Sequence, residues 1–312
     1  MRVIFESDTL CVRLRDGHGS EQLVVTFAGL GAGFGAEAPG FAEGFCDRHG
    51  LDAVHVLCRG DDWYQYADMP EALDAVADAG RGYGGLVTYG ASMGGYQAVK
   101  AAGRLGARRC VAVSPQISID PAKAPWETRW DEAARRLDFI DDEIASGPAT
   151  DYVLILDPFD RTDRLHARAI GGIAPTRELP IPFGGHAPLE VLRDAGTLAA
   201  AILPLLRDED GLAEARRRTR AARWNSTTWL VNVSRAGRLP AAWRETALRR
   251  AVALSPQDAW IRQRLAALLS AEGRTHEAVA CAADAVRLLP DEPRLEAFLA
   301  KLTARSARKS PG

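Results

Sequence analysis

The chain is poor in most of the features that would tie it to a membrane, a nucleic acid or a metal. No run of eighteen apolar residues occurs in its 312 residues, so no stretch is long enough to cross a bilayer as a helix. The opening residues Met1-Arg2-Val3-Ile4-Phe5-Glu6-Ser7-Asp8 carry no apolar core of a secretory signal. The formal net charge is only −2 with 26% charged residues, so no excess of one sign calls for nucleic acid or a membrane surface. Five cysteines, at 11, 46, 58, 110 and 281, lack metal-ligand spacing and sit mostly in apolar runs, where they read as buried free thiols. His18, His49, His55, His166 and His276 form no i, i+4 pair and no cluster with acids. They read as core, turn or surface residues, His55 as a core residue inside an apolar strand. The expectation is a cytoplasmic globular protein with no metal and no cofactor.

What the chain does contain is Gly90-Ala91-Ser92-Met93-Gly94, a G-x-S-x-G pentapeptide. Before it runs Gly85-Leu86-Val87-Thr88-Tyr89, which reads as a buried strand; after it runs Gly95-Tyr96-Gln97-Ala98-Val99-Lys100-Ala101-Ala102, small and helix-compatible. A serine on a tight strand-to-helix turn needs glycines on both sides, because the backbone is strained and two segments pass close together. Such a turn lifts the hydroxyl to the top of the sheet and aims a helix N-terminus at it.

Two further elements follow in the order a Ser-acid-His arrangement requires. Tyr152-Val153-Leu154-Ile155-Leu156 reads as a strand leading into Asp157-Pro158-Phe159-Asp160-Arg161-Thr162-Asp163. Glu178-Leu179-Pro180-Ile181-Pro182-Phe183 leads into Gly184-Gly185-His186. Over residues 1–205 this pattern resembles the α/β-hydrolase family. The resemblance implies Ser92 as nucleophile, His186 as base and an aspartate that orients the imidazole. Asp160 is the expected acid, since it lies a few residues past the strand end on a turn. Asp157 is its nearest rival, and Asp163 reads as a cap of the following helix. Two backbone donors are expected for the oxyanion: the N–H of Met93, and the N–H of Leu30 or, next to it, Gly31, on the loop after strand 22–28.

That loop also holds Gly31-x-Gly33-x-x-Ala36, which matches a dinucleotide fingerprint. The glycines lead into Ala36-Glu37-Ala38-Pro39-Gly40, which breaks a helix instead of starting one, so an oxyanion loop explains them better.

Strands are predicted at 2–5, 10–15, 22–28, 51–57, 85–89, 109–114, 152–156 and 178–183. Helices are predicted at 38–49, 70–79, 93–105, 161–170 and 187–205. Their alternation predicts an α/β fold, a mostly parallel sheet covered by helices with an antiparallel edge made by the first strands. Between 114 and 152 lies the family's usual place for a lid, here short, with an amphipathic helix expected to about Ala145. So short an insertion disfavours long-chain lipid. Trp63, Tyr64 and Trp126 are expected at the rim as an aromatic platform for a polar, ring-shaped or sugar-like ligand, or alternatively as rim packing.

The character of the chain changes after residue 205. Residues 206–312 hold 20 Lys and Arg against 12 Asp and Glu, a net of +8, while residues 1–205 carry −10. Residues 206–222 read as a charged linker. Residues 223–312 resemble a tetratricopeptide-like helical domain: Leu265, Ala266, Leu269, Gly273, Ala278, Ala282, Ala285 and Pro290 follow the small-and-apolar spacing of that repeat. Ala251 and Pro256 repeat Ala285 and Pro290 one period earlier. A final helix is expected from Arg294 to about Ala304. The resemblance implies a protein partner or a homodimer contact.

The sequence thus points to a serine hydrolase acting on a small-molecule or saccharide ester with a short acyl group. Two alternatives are an acyltransferase to a sugar or peptide acceptor and a non-catalytic hydrolase-like interaction protein.

Overall fold

In the computed structural model, residues 1–145, 147 and 149–309 are described; residues 310–312, the end of the expected helical domain, lie outside them. The chain divides into two compact units. The first comprises Met1–Leu189 with Thr197–Thr219; the second comprises Glu190–Gly196 and the chain from Arg220 onward.

The first unit is built on one eight-stranded sheet. Its strands are β1 (Arg2–Glu6), β2 (Leu10–Arg15), β3 (Gln22–Phe27), β4 (Ala53–Cys58), β5 (Gly85–Ala91), β6 (Arg109–Val113), β7 (Asp151–Leu156) and β8 (Thr176–Pro180). They lie in the order β1-β2-β4-β3-β5-β6-β7-β8. β1 and β2 form an antiparallel edge, β2 meets β4 antiparallel, and every later pairing is parallel. This is the expected α/β fold. The apolar runs Gln22–Phe27 and Ala53–Cys58 are buried throughout, as strands covered on both faces must be. β1, at the edge, stays largely exposed.

The helices are α1 (Glu43–Arg48), α2 (Met69–Gly80), α3 (Met93–Arg104), α4 (Asp131–Ala134), α5 (Arg161–Ile173), α6 (Pro188–Asp194), α7 (Leu198–Leu206), α8 (Leu212–Ala222), α9 (Thr227–Arg235), α10 (Ala241–Leu254), α11 (Ala259–Ala271), α12 (Thr275–Leu288) and α13 (Pro293–Lys309). α3 buries all ten residues from Met93 to Ala102 beneath the centre of the sheet. Its small residues let the helix lie close to the strands.

Four sequence expectations differ from the structure. The helix expected over 38–49 begins only at Glu43, because Pro39 and Gly40 break the chain before it. The helix expected over 187–205 is two helices, parted at Ala195-Gly196-Thr197, where Gly196 has φ 68°. The stretch 206–222 contains α8. The helix expected up to Ala145 is one turn, α4. Beyond it the chain is held by buried groups: Gln65 Oε1 accepts the backbone N–H of the exposed Asp141 (3.1 Å), and Tyr96 Oη (2.8 Å) and Ser118 Oγ (2.5 Å) donate to the buried Asp142 carboxylate. Those bonds compete with a helix.

In the second unit, Ser226 caps α9 by accepting Trp229 N–H, and Asp258 caps α11 by accepting the N–H groups of Trp260 and Ile261. Alanines 247, 251, 259, 266, 278, 282 and 285 are buried between neighbouring helices. Trp224 meets Trp229 edge-on, 5.3 Å between ring centroids, and Trp243 at a tilt, 6.4 Å away.

Candidate active site

Ser92 sits between β5 and α3 with φ 52° and ψ −119°, a backbone that an L-residue rarely adopts. The turn is held from both sides. Ser92 N–H donates to Val113 O (2.9 Å), and Tyr96 N–H donates to Ser92 O (2.9 Å). The flanking glycines leave no room for a side chain: a Cβ on Gly90 would meet Gly94 O at 2.1 Å, and one on Gly94 would meet Phe27 O at 2.3 Å. The Ser92 side chain caps nothing on α3, so its hydroxyl is free to point elsewhere.

It points at His186. His186 Nε2 lies 2.9 Å from Ser92 Oγ, and His186 Nδ1 lies 2.9 and 3.0 Å from the two oxygens of the Asp163 carboxylate. With the Nδ1 proton directed to Asp163, Nε2 is left as the acceptor of the Ser92 proton. Burial raises the Asp163 carboxyl, but the hydrogen bond from His186 and the charge of Arg129 outweigh it, and the group sits below the usual carboxylate range.

The acid against His186 is therefore Asp163 and not the expected Asp160. Asp160 is the N-cap of α5: its Oδ1 accepts Asp163 N–H at 3.0 Å. The sequence reading reversed the two roles, cap and partner. Asp157 binds backbone instead, accepting the N–H groups of Phe159 (2.9 Å), Phe183 (3.0 Å) and Gly185 (3.0 Å). It thereby fixes the loop that carries His186. Burial pushes the Asp157 carboxyl up, against those three donors.

Of the expected oxyanion donors, Met93 N–H is among the first four amides of α3, which no helical carbonyl satisfies. Leu30 follows β3 on the neighbouring loop, 43% exposed. Gly31 N–H is already bound by Asp61 Oδ1 at 2.7 Å.

The expected aromatic platform is not an open surface. Trp63 and Tyr64, 1% and 0% exposed, turn inward through left-handed backbone (φ 47° and 57°). Tyr64 Oη donates to Ala28 O at 2.9 Å and its ring meets Phe27 edge-on. Trp126 is half-buried with its ring 5.6 Å from that of His166. The aromatic side chain beside His186 is Trp130, 6.5 Å between ring centroids.

Four further residues lie around Ser92, His186 and Asp163; Gln116, Glu127 and Arg129 carried no role in the sequence reading, and His166 was read there as non-functional. Gln116 is fully buried; its Nε2 donates to Ser92 Oγ (3.3 Å) and its Oε1 accepts from Trp63 Nε1 (3.4 Å). Arg129 Nη1 donates to Asp163 Oδ1 (2.9 Å), while its Nε and Nη2 grip the Glu127 carboxylate (2.6–3.2 Å). Glu127 Oε2 in turn lies 2.9 Å from His166 Nε2. Ile117 N–H donates to His166 Nδ1 (3.2 Å), so Nε2 is the nitrogen that donates to Glu127. Burial raises the Glu127 carboxyl, but the bonds from His166 and Arg129 bring it down to about 2. One sequence signal was available: Asp163, His166, Ala167 and Ile170 are the buried stripe of α5 at i, i+3, i+4, i+7, which places two polar residues on an inward face.

Among the described residues no group of three or more His, Cys, Asp or Glu could hold a metal ion, and no helix is long and apolar enough to cross a membrane.

No family model matches the sequence, and no curated protein matches it. Solved structures resemble it at low identity. Est1E from Butyrivibrio proteoclasticus, solved with ferulic acid bound, aligns at 13% identity and TM-score 0.46 over 66% of this chain and 99% of that chain. The capsule O-acetyltransferase of Neisseria meningitidis serogroup A aligns at 11% identity and TM-score 0.44, over 70% and 92%. A chain of the glycosylation-associated Gap123 complex of Streptococcus agalactiae aligns at 14% identity and TM-score 0.47, over 65% of this chain and 45% of that one. The present chain thus matches less than half the length of that last relative.

Proposed function

We propose that the chain is a serine acyl-transfer enzyme, acting as a hydrolase of short acyl esters through a Ser92–His186–Asp163 triad. The observation that carries this reading is the unbroken line from Ser92 Oγ through both His186 nitrogens to Asp163, set on a strained strand-to-helix turn. A serine hydroxyl is a weak nucleophile until a base takes its proton. In the reading proposed, His186 Nε2 takes that proton as Ser92 Oγ bonds to the ester carbonyl carbon. The carbonyl oxygen becomes an oxyanion facing the N–H groups of Met93 and Leu30. His186 then gives the proton to the departing alkoxide, the C–O bond breaks, and an acyl-serine remains. Water, deprotonated by the same nitrogen, releases the acid and restores Ser92.

A small acyl group is supported by what fills the space behind the serine. Gln116 Nε2 stands 3.3 Å from Oγ, its Oε1 accepts from the buried Trp63, and the Trp63 ring lies 5.5 Å from that of Trp130. An alcohol of a sugar or peptide can replace water at the acyl-serine without any change in the triad. For α9–α13 the reading is a tetratricopeptide-like unit that binds a protein partner or a second copy, supported by the buried alanines between its helices.

The test is hydrolysis of 4-nitrophenyl acetate and labelling by a fluorophosphonate, each with Ser92→Ala alongside. Turnover and labelling that vanish in the variant support the reading. A folded wild-type protein that neither turns over nor labels overturns it, and leaves the non-catalytic alternative.

A further inference from the structure

A guanidinium beside the acid of a catalytic triad is a problem in electrostatics. The Asp163 carboxylate stabilises the imidazolium that forms on His186 when Ser92 loses its proton. Arg129 Nη1, however, lies 2.9 Å from Asp163 Oδ1 and 3.0 Å from His186 Nδ1. The second contact sets two N–H groups against each other, since Nδ1 directs its proton to Asp163. A fixed positive charge at that distance opposes imidazolium formation and shares the carboxylate meant to support it.

The structure offers a remedy in the same network. Glu127 is fully buried at its side chain and holds Arg129 through the Nε–Nη2 edge of its guanidinium. It is itself oriented by His166 Nε2 at 2.9 Å, which α5 presents one turn after Asp163. At rest the cluster counts two carboxylates and one guanidinium; once His186 is protonated it counts two of each sign. Without Glu127, Arg129 alone would neutralise Asp163.

Resting on the triad reading above, we propose that Glu127 is a positioning residue of this site. By pairing with Arg129 it restores to Asp163 the net negative charge that the guanidinium would cancel, and so supports the His186 cation in the transition state. His166 serves the pair by fixing the carboxylate, and Arg129 joins the segment before α4 to the first turn of α5.

The groups facing His186 are few enough for a clean test. They are Asp163 on α5, Arg129 and, through it, Glu127 on the segment before α4, and Ser92 on the turn. Asp157 lies under the His186 loop through Gly185 N–H, and Asp160 binds the Asp163 backbone. The last two are unchanged in every variant below.

The experiment measures the second-order rate of fluorophosphonate labelling against pH for the full chain, its Glu127→Gln and Arg129→Met variants, and Arg129→Lys. Removing the negative charge moves the acid limb of the Glu127→Gln profile down by roughly 0.5–1 pH unit; removing the positive charge moves that of Arg129→Met up by about 1 pH unit. Arg129→Lys keeps the wild-type limb while losing rate, because the charge remains and the fork is lost. Opposite shifts from two partners of one ion pair cannot come from loosened packing, which lowers rates without reversing the direction. Unchanged limbs, or limbs that move the same way in folded proteins, overturn the proposal while leaving the triad standing. A wild-type protein that does not label overturns the triad reading, and the proposal falls with it.

Discussion

Asp160 and Asp163 share one turn of α5 and divide its tasks: the carboxylate of Asp160 accepts the N–H of Asp163 at 3.0 Å, while the carboxylate of Asp163 reaches His186. The first orients the helix end and the second orients the imidazole. Replacing each separates them. Asp163→Asn keeps the shape but invites the wrong imidazole tautomer, and kcat for a nitrophenyl ester falls by about 10³–10⁴. Asp160→Ala removes a cap, lowers stability by about 1 kcal/mol in a denaturant titration and reduces kcat less than tenfold. A larger kinetic loss at Asp160 than at Asp163 would restore the sequence-based assignment.

Gln116 also touches the Ser92 hydroxyl, to which His186 presents Nε2. Its amide is held in one orientation because Trp63 Nε1 donates to Oε1, which turns the NH₂ toward Ser92 Oγ. Gln116→Ala releases the hydroxyl to other rotamers and leaves a buried indole N–H unpaired. Steady-state kinetics on 4-nitrophenyl acetate should show kcat lower by about tenfold, with a stability loss of roughly 1–2 kcal/mol. A change confined to KM would make Gln116 part of the acyl pocket.

Much of this site was legible because its geometry is imposed by short-range rules. The eight strands could be placed from apolar runs, and Ser92 from glycines that the turn requires on both sides. His55, expected in the core, is there, its Nδ1 2.7 Å from Thr26 Oγ1 and its basicity pushed down to about 4 by burial. The acid was not legible in the same way. Three aspartates within seven residues all suit turns, and only the tertiary fold decides which one faces the histidine. Trp63 and Tyr64 were misplaced for a related reason. Their neighbours Asp61 and Asp62 suggest a wet rim, but two consecutive left-handed residues swing the rings inward, a backbone state that composition does not reveal. His166 was set aside, and Glu127 and Arg129 passed over, because the contacts that tie that neighbouring pair to Asp163 and His166 span more than thirty residues of sequence.

The close approach of β3 to α3 makes a second kind of prediction, about stability. Gly94 lies under the end of β3, where an added Cβ would come within 2.3 Å of Phe27 O, the last residue of the strand, and 2.9 Å of Ala28 O just past it, both backbone atoms. Neither can yield without moving the strand that leads to Leu30. Gly94→Ala should therefore cost about 2 kcal/mol or more in chemical denaturation, with labelling of Ser92 lost in parallel. Gly82, where an added Cβ meets nothing within 4 Å, is the control position; Gly82→Ala should leave both readouts near wild type.

Glu127 also ties the stability of the first unit to acid pH. Burial raises its carboxyl, yet His166 and Arg129 bring it from an ordinary value of 4.5 to about 2, so the folded state holds the ionised form more tightly than the unfolded chain does. A group depressed in this way contributes stability that is complete above about pH 4.5 and disappears as pH falls toward about 2. Asp163, depressed by His186 and Arg129 against its own burial, acts in the same direction. Denaturant titrations between pH 6 and pH 3 should show the wild type losing stability as acid is added. Glu127→Gln, which has no proton to take up at that position, should begin less stable at pH 6 and lose less on the way down. Parallel curves for the two proteins would mean that folding leaves the Glu127 carboxyl at its ordinary value, so that His166 and Arg129 do not hold its charge, and with that would go the charge balance argued above.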